Sequence, residues 1–273
     1  MDIGIIGQGF VGNAVRKKFE NYYNIRAYDL KAMLSTSNED EAFNNEIVFV
    51  CLPTPMNGDG SCHTNIVEKA IKNIAEFGVA KIVVIKSTVS PGTTAKWNEQ
   101  FPNLDIVFNP EFLTEANAVS DYENQTRIIL GGPRNATTKL KPVFAKVFPK
   151  ASIIKTDSTY AEMVKYVTNS FLATKVSFAN EMYQICEKLD VDYDKVVEYA
   201  CYDERLGKSH WSVPGPDGDL GYGGHCFPKD VKALITLAGE LDVFPEMLMA
   251  TDCKNNDVRE NRDWEKMKGR AII

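Results

Sequence analysis

The chain has 273 residues, 44% hydrophobic and 25% charged, with 31 Lys and Arg against 37 Asp and Glu for a net charge of −6. That length allows two domains and a substantial core, and the composition is that of a soluble globular protein. An acidic balance without a basic run argues against nucleic acid or an anionic membrane as a partner, and no apolar run reaches membrane-spanning length. The six cysteines, at positions 51, 62, 186, 201, 226 and 253, contain no C-x-x-C pair. This speaks against a zinc site or a disulfide framework and fits a reducing cytoplasm. A first strand that starts almost at Met1 leaves no room for a signal peptide.

Ile3-Gly4-Ile5-Ile6 reads as a short buried strand, and Gly7-Gln8-Gly9-Phe10-Val11-Gly12 directly after it matches G-x-G-x-x-G. Val11, Ala14, Val15 and Phe19 then repeat at helical spacing, and a second strand over 24–28 ends in Asp29. Strand, glycines, helix, strand and terminal acid in that order predict a dinucleotide site. The glycines permit the tight turn and bring the pyrophosphate to the helix N-terminus. Asp29 can bind the ribose hydroxyls and would repel a 2′-phosphate, so the expected cofactor is NAD, not NADP. Further strands are predicted at 47–52, 82–85, 106–108, 127–130 and 152–154, with a helix over 66–77. Alternating strands and helices imply a doubly wound parallel sheet of Rossmann type. Ligands bind such sheets beyond the strand C-termini, and the loops carrying Thr54, Thr88 and Glu111 all begin there. A turn or cap role is the plainer alternative for each of the three alone.

From Thr159 the pattern becomes one long helix to about Leu189. Thr159 and Glu162 are spaced as a capping box, and Lys165 and Asn169 share one helix face. Val164, Val167, Phe171, Leu172, Val176 and Phe178 make the helix apolar over much of its girth. It is therefore expected to be buried in its domain or against a second subunit. The domain boundary is placed at 156/157, with an all-α second domain over 157–273. A loop over 208–221 leads into Gly221-Tyr222-Gly223-Gly224-His225-Cys226-Phe227-Pro228-Lys229-Asp230. Pro228 suits a first helical position, and Val231, Leu234, Ile235, Ala238 and Leu241 repeat behind it. Cys226 then lies just ahead of a helix N-terminus with Lys229 nearby, a setting that favours a thiolate nucleophile. An inert structural cysteine beside a turn is the alternative.

These stretches resemble the UDP-glucose/GDP-mannose dehydrogenase family. The resemblance rests on Gly7–Gly12, Pro53-Thr54-Pro55, Lys86-Ser87-Thr88 with Pro91-Gly92-Thr93, Asn109-Pro110-Glu111-Phe112-Leu113, Ala161-Glu162 with Lys165 and Asn169, and Gly223–Asp230. It implies oxidation of a nucleotide-sugar C6 alcohol, UDP-glucose or the like, to a carboxylate with two NAD⁺, in a cytoplasmic homodimer serving polysaccharide biosynthesis. It implies Cys226 as the nucleophile, Lys165 and Asn169 as oxyanion stabilisers, Glu111 as the acid–base residue, and Thr88 and Asp230 as holders of the catalytic water and Lys165. Gly7, Gly9, Phe10, Val11, Gly12, Asp29, Thr54, Thr88, Glu115 and Lys229 would contact the cofactor. Glu111, Phe112, Leu113, Lys165, Asn169 and Gly223 would line the substrate, with Arg205 reaching it across a dimer interface. No metal is implied. Family members normally carry a third, C-terminal domain that binds much of the nucleotide, and this sequence has no counterpart of it. A two-domain β-hydroxyacid dehydrogenase, which also has a lysine–asparagine helix pair, and a non-catalytic NAD-binding protein are the competing readings. The Cys226 turn argues against the first of these. Glu111, Lys165, Asn169 and Cys226 together argue against the second.

Overall fold

The computed structural model describes residues 1–273. They divide into two units: Met1–Thr54 with Thr64–Lys165, and Pro55–His63 with Tyr166–Ile273.

The first unit is a seven-stranded sheet. Its strands are β1 (Asp2–Ile6), β2 (Asn24–Tyr28), β3 (Ile47–Val50), β4 (Ile82–Ile85), β5 (Asp105–Phe108), β6 (Arg127–Gly131) and β7 (Ser152–Thr156), in the order 2-1-3-4-5-6-7. β3 and β4 are fully buried runs of β-branched and aromatic residues, the pattern required of strands covered on both faces. The expected parallel pairing holds except between β5 and β6, which meet antiparallel at Phe108 and Gly131. Six helices fill the connections: α1 (Phe10–Phe19), α2 (Glu39–Phe43), α3 (Asn65–Phe77), α4 (Thr93–Gln100), α5 (Ala118–Glu123) and α6 (Arg134–Val147). They cover opposite faces of the sheet. On one, Phe19 of α1 packs edge-on to Phe49 and Phe144, with ring centroids 5.2 and 5.5 Å away. On the other, Val67, Ile71 and Ile74 of α3 and Trp97 of α4 bury against Val48, Val50 and Ile85. Each such side chain removed from water contributes roughly 1.5–3 kcal/mol.

α7 (Ser158–Lys188) begins in the first unit, and most of it belongs to the second. α8 (Tyr193–Ala200), α9 (Phe227–Glu240) and α10 (Glu246–Val258) complete an all-α unit. Its core lies around Ala173, Tyr222 and Val231, and around Ala179, Cys186 and Tyr193.

Two local expectations change. Pro228 is the second helical residue of α9, because Phe227 opens the helix; a missing N–H costs nothing there either. Glu162 does not close a capping box on α7. Its two carboxylate oxygens accept from the backbone N–H groups of Gly92 (2.7 Å) and Thr94 (2.8 Å), so it caps α4, which has no side-chain cap from its own N-cap residue Gly92. Burial raises the Glu162 pKa against the pull of these N–H donors. Glu162→Ala would leave one buried and one half-buried N–H donor without an acceptor, and the expected loss on denaturant unfolding is about 2–4 kcal/mol. A loss below about 0.5 kcal/mol would show that α4 is not held this way.

Candidate active site

In the first unit, the glycine motif makes a cradle at the C-terminal end of β1. Gly7 has φ +89°, and a Cβ on Gly12 would lie 1.9 Å from the Gly7 carbonyl oxygen, so neither position tolerates a side chain. Gly9, the N-cap of α1, faces open space, and the helix has no side-chain cap. Phe10 and Val11 are half-buried in the first turn. Asp29 closes the cradle: its carboxylate accepts from Gln8 N (2.7 Å) and Lys31 N (2.8 Å). An uncapped helix N-terminus, a side-chain-free approach and an acid at the end of β2 fit a dinucleotide's pyrophosphate and ribose. The hydroxyl of Thr54 donates to the Thr88 carbonyl at 2.7 Å, which joins the loops after β3 and β4, and Thr88 is itself buried.

The loop after β5 carries a buried charge cluster that spacing alone did not reveal. Glu111 is 5% exposed and Lys165 2%. The ammonium of Lys165 donates to the Glu111 carboxylate at 2.9 Å and to the Glu111 carbonyl at 2.6 Å. The second carboxylate oxygen accepts from Leu113 N at 2.7 Å. Burial by itself would raise the Glu111 pKa. Lys165, and after it the Leu113 N–H, outweigh burial and hold the carboxyl below its ordinary value. Phe112 lies under this pair, its ring centroid 5.5 Å from Lys165 Nζ and 4.4 Å from the Arg127 guanidinium. Behind it sits a second buried lysine that sequence reasoning passed over. Lys86 donates to Asn109 at 2.8 Å and stands 5.3 Å from the Tyr122 ring centroid. Burial pulls its pKa down to about 8. Glu115, four residues beyond Glu111, is exposed.

In the second unit, Cys226 is half-buried and is the N-cap residue of α9. The N–H groups of the first helical turn and the dipole therefore lie on its side of the helix end. None of the six cysteines is in a disulfide. Lys229 and Asp230 form a buried pair at 2.5 Å. Burial opposes the charge of Lys229, but Asp230, Cys226 and Cys62 outweigh it and hold the lysine pKa above its ordinary value. The other oxygen of Asp230 accepts from Asn169 at 2.6 Å, so Asp230 fixes the asparagine side chain. Arg205, by contrast, is exposed and forks onto its neighbour Asp203.

The glycine turn ahead of Cys226 is held from three sides. Gly221 N donates to Asn180 at 3.1 Å, Tyr222 N to Asn255 at 2.7 Å, and Gly224 N to the two oxygens of Asp263 at 3.2 and 3.1 Å. Gly221 and Gly224 both have φ +69°. None of these anchors was singled out in the sequence, because each lies 33 to 41 residues from the backbone group it holds.

Comparison with known proteins agrees with this geometry. The family model for the UDP-glucose/GDP-mannose dehydrogenase NAD-binding domain matches residues 19–148, and the model for the central domain of the same family matches 159–257. The UDP-glucose 6-dehydrogenase AglM of Haloferax volcanii is 31% identical over 92% of this chain and 68% of its own length. A UDP-glucose dehydrogenase structure from Pyrobaculum islandicum superposes with a TM-score of 0.84 at 28% identity, over 94% of this chain and 68% of that one. A 3-hydroxyisobutyrate dehydrogenase from Mycobacterium tuberculosis shares the fold, with a TM-score of 0.75 at 16% identity over 96% and 95% of the two chains. The chain belongs to the UDP-glucose/GDP-mannose dehydrogenase family. It carries that family's NAD-binding and central domains, NAD is its cofactor, and it spans about half the length of two further relatives, the UDP-glucose 6-dehydrogenases YwqF and TuaD of Bacillus subtilis, to which it is 34% and 35% identical over 84% of this chain. No helix is long and apolar enough to cross a membrane.

The depressed Glu111 pKa carries a linkage sign. The folded value lies below the unfolded one of about 4.3, so the stabilisation is complete above that pH and is lost as pH falls through the folded value. Breaking a buried pair costs about 3–5 kcal/mol. The unfolding free energy of wild type minus Glu111→Gln should therefore be constant from about pH 7 to pH 5 and shrink below about pH 4. A difference that stays flat to about pH 3 contradicts an ionised, paired Glu111.

Proposed function

We propose that the chain is a nucleotide-sugar 6-dehydrogenase that oxidises the C6 alcohol of UDP-glucose or a close relative to the uronic acid. The observation that carries this reading is Cys226 as the N-cap of α9 beside Lys229, in a chain of this family. A simple alcohol oxidation needs no thiol. A four-electron oxidation does, because a released aldehyde would hydrate or escape.

When bound, NAD⁺ would supply the hydride acceptor for each of the two oxidations. The Cys226 thiolate adds to the C6 aldehyde formed in the first, making a C–S bond and an alkoxide. Lys165 and Asn169, one turn apart on α7, supply an ammonium and an amide donor to that oxygen. The held orientation of Asn169 against Asp230 means that donor needs little reorganisation. Loss of the second hydride leaves a thioester on Cys226. Water then attacks the thioester carbon, giving its proton to the Glu111 carboxylate. The C–S bond breaks and the thiolate leaves. The balance is one alcohol, one water and two NAD⁺ to one carboxylate, two NADH and three protons. Thr88 and Asp230 are assigned to the water and the lysine, and Thr54, Glu115 and Lys229 to the cofactor. Phe112, Leu113 and Gly223 are assigned to the substrate, and Arg205 to a neighbouring subunit's substrate. A cytoplasmic setting is part of the same proposal, from scattered cysteines with no C-x-x-C pair.

The competing reading is a β-hydroxyacid dehydrogenase, favoured by a shared fold that spans nearly all of the Mycobacterium tuberculosis chain. It predicts one NADH per turnover and indifference to Cys226. Under the proposed reaction, wild type yields two NADH per acid with no free aldehyde. Cys226→Ser should lose acid formation by at least about 10³-fold with NAD affinity little changed. One NADH per turnover from an undiminished Cys226→Ser enzyme would end the proposal.

The homodimer is proposed on α7. Tyr160, Val167, Phe171, Phe178 and Ile185 recur at spacings of seven and four and are 69%, 55%, 66%, 49% and 47% exposed. An apolar stripe of this length suits a second copy of the same helix. Phe171→Glu should convert a dimer to a monomer in native mass measurement. A wild-type monomer at micromolar concentration would refute the proposal.

A further inference from the structure

Arg259 follows α10 and is buried, its side chain only 1% exposed. Its guanidinium lies against three carboxylates: Asp217 at 2.8 Å, Asp263 at 3.4 Å and Asp219 at 3.6 Å. It also donates through Nε to the Asn261 carbonyl at 2.9 Å and through Nη1 to the Leu220 carbonyl at 3.4 Å. One planar group thus joins the 208–221 loop to the segment after α10. A lysine could not reproduce this, since it lacks the rigid fork that reaches several acceptors at once.

The same guanidinium explains Gly223. A Cβ there would lie 2.2 Å from Arg259 Nη2 and 2.5 Å from Asp263 Oδ1. The Gly223 backbone therefore rests directly on the Arg259–Asp263 pair. The next residue, Gly224, donates its N–H to Asp263. Two residues later the chain reaches Cys226 and enters α9. The turn that aims the thiol at the helix N-terminus is seated on a charge cluster of one cation and three anions. Such a cluster is rigid when complete, and removal of the cation leaves like charges facing one another in partial burial.

We propose that Arg259 is a positioning residue for Cys226: by bridging Asp217, Asp263 and the Leu220 carbonyl under Gly223, it holds the Gly221–Gly224 turn that sets the thiol at the start of α9. This rests on Cys226 being the nucleophile. Arg259 touches neither substrate nor cofactor in the proposed reaction and acts only through the turn.

The test is the rate of iodoacetamide modification of each cysteine in the intact chain, resolved by peptide mass. Wild type, Arg259→Lys and Arg259→Ala are compared, with thermal unfolding followed alongside. The exposed Cys253 serves as the internal reference. In wild type, Cys226 should react well ahead of Cys253. In folded Arg259→Lys the Cys226 rate should fall about tenfold while the Cys253 rate is unchanged, the change expected when a thiolate loses its alignment with a helix N-terminus. Added guanidinium should restore part of the rate in Arg259→Ala. Should neither arginine variant fold, Asp263→Asn carries the same expectation, because it removes the charged acceptor of the Gly224 N–H. A Cys226 rate within twofold of wild type in a folded variant would overturn the inference. A wild-type Cys226 no faster than Cys253 would instead overturn the nucleophile reading on which it rests.

Discussion

A carboxylate and an ammonium that are both withdrawn from water must meet, or neither stays charged. Glu111 and Lys165 meet at 2.9 Å with almost no exposure. Burial alone would cost each of them several kcal/mol. The pair survives because the Leu113 N–H and the Glu111 carbonyl complete its hydrogen bonds. The β5 loop and the first turns of α7 are tied through this contact. The ends of the neighbouring strands follow: Lys86 holds Asn109, whose amide reaches the Ile129 carbonyl. A polar cluster inside an otherwise apolar sheet edge is costly unless every member is satisfied, and here the ordering of the loop and the ionisation of its acid are one event. In the second unit Asp230 takes the equivalent place, with Lys229 on one oxygen and Asn169 on the other.

Much of the first unit was legible because its signals are local. β2 and β4 fall on the predicted residues, and the others differ by one or two residues at an end. Period and β-branching decide such strands without reference to the rest of the chain. The reversal between β5 and β6 was not legible, since strand direction depends on how a connection packs and leaves no mark on composition. The cysteine turn was legible because glycine, proline and lysine stand in fixed order around Cys226.

What was missed are partners distant in sequence. Glu162 looked like a cap for its own helix, yet it reaches back across the fold to Gly92 and Thr94. Arg259 was not singled out in the sequence at all, yet it is buried beneath Gly223. In both cases the residue type is suited to the surface and only a tertiary contact pulls it inward. Lys86 is similar: its buried place follows from the strand it ends, while its partner Asn109 comes from the next strand along. Polar residues that organise a site through others leave weaker traces than residues that meet substrate.

The central claim is that Cys226 carries the carbon skeleton between two oxidations. Intact-mass spectrometry of Glu111→Gln after incubation with NAD⁺ and UDP-glucose addresses it most directly, because impaired hydrolysis should trap the acyl group. The account predicts an added mass equal to the acyl group, the sugar-nucleotide uronic acid less one water, mapped to Cys226 and absent from Cys226→Ser/Glu111→Gln. NADH formation without any adduct in Glu111→Gln, or an adduct that maps elsewhere, would contradict it.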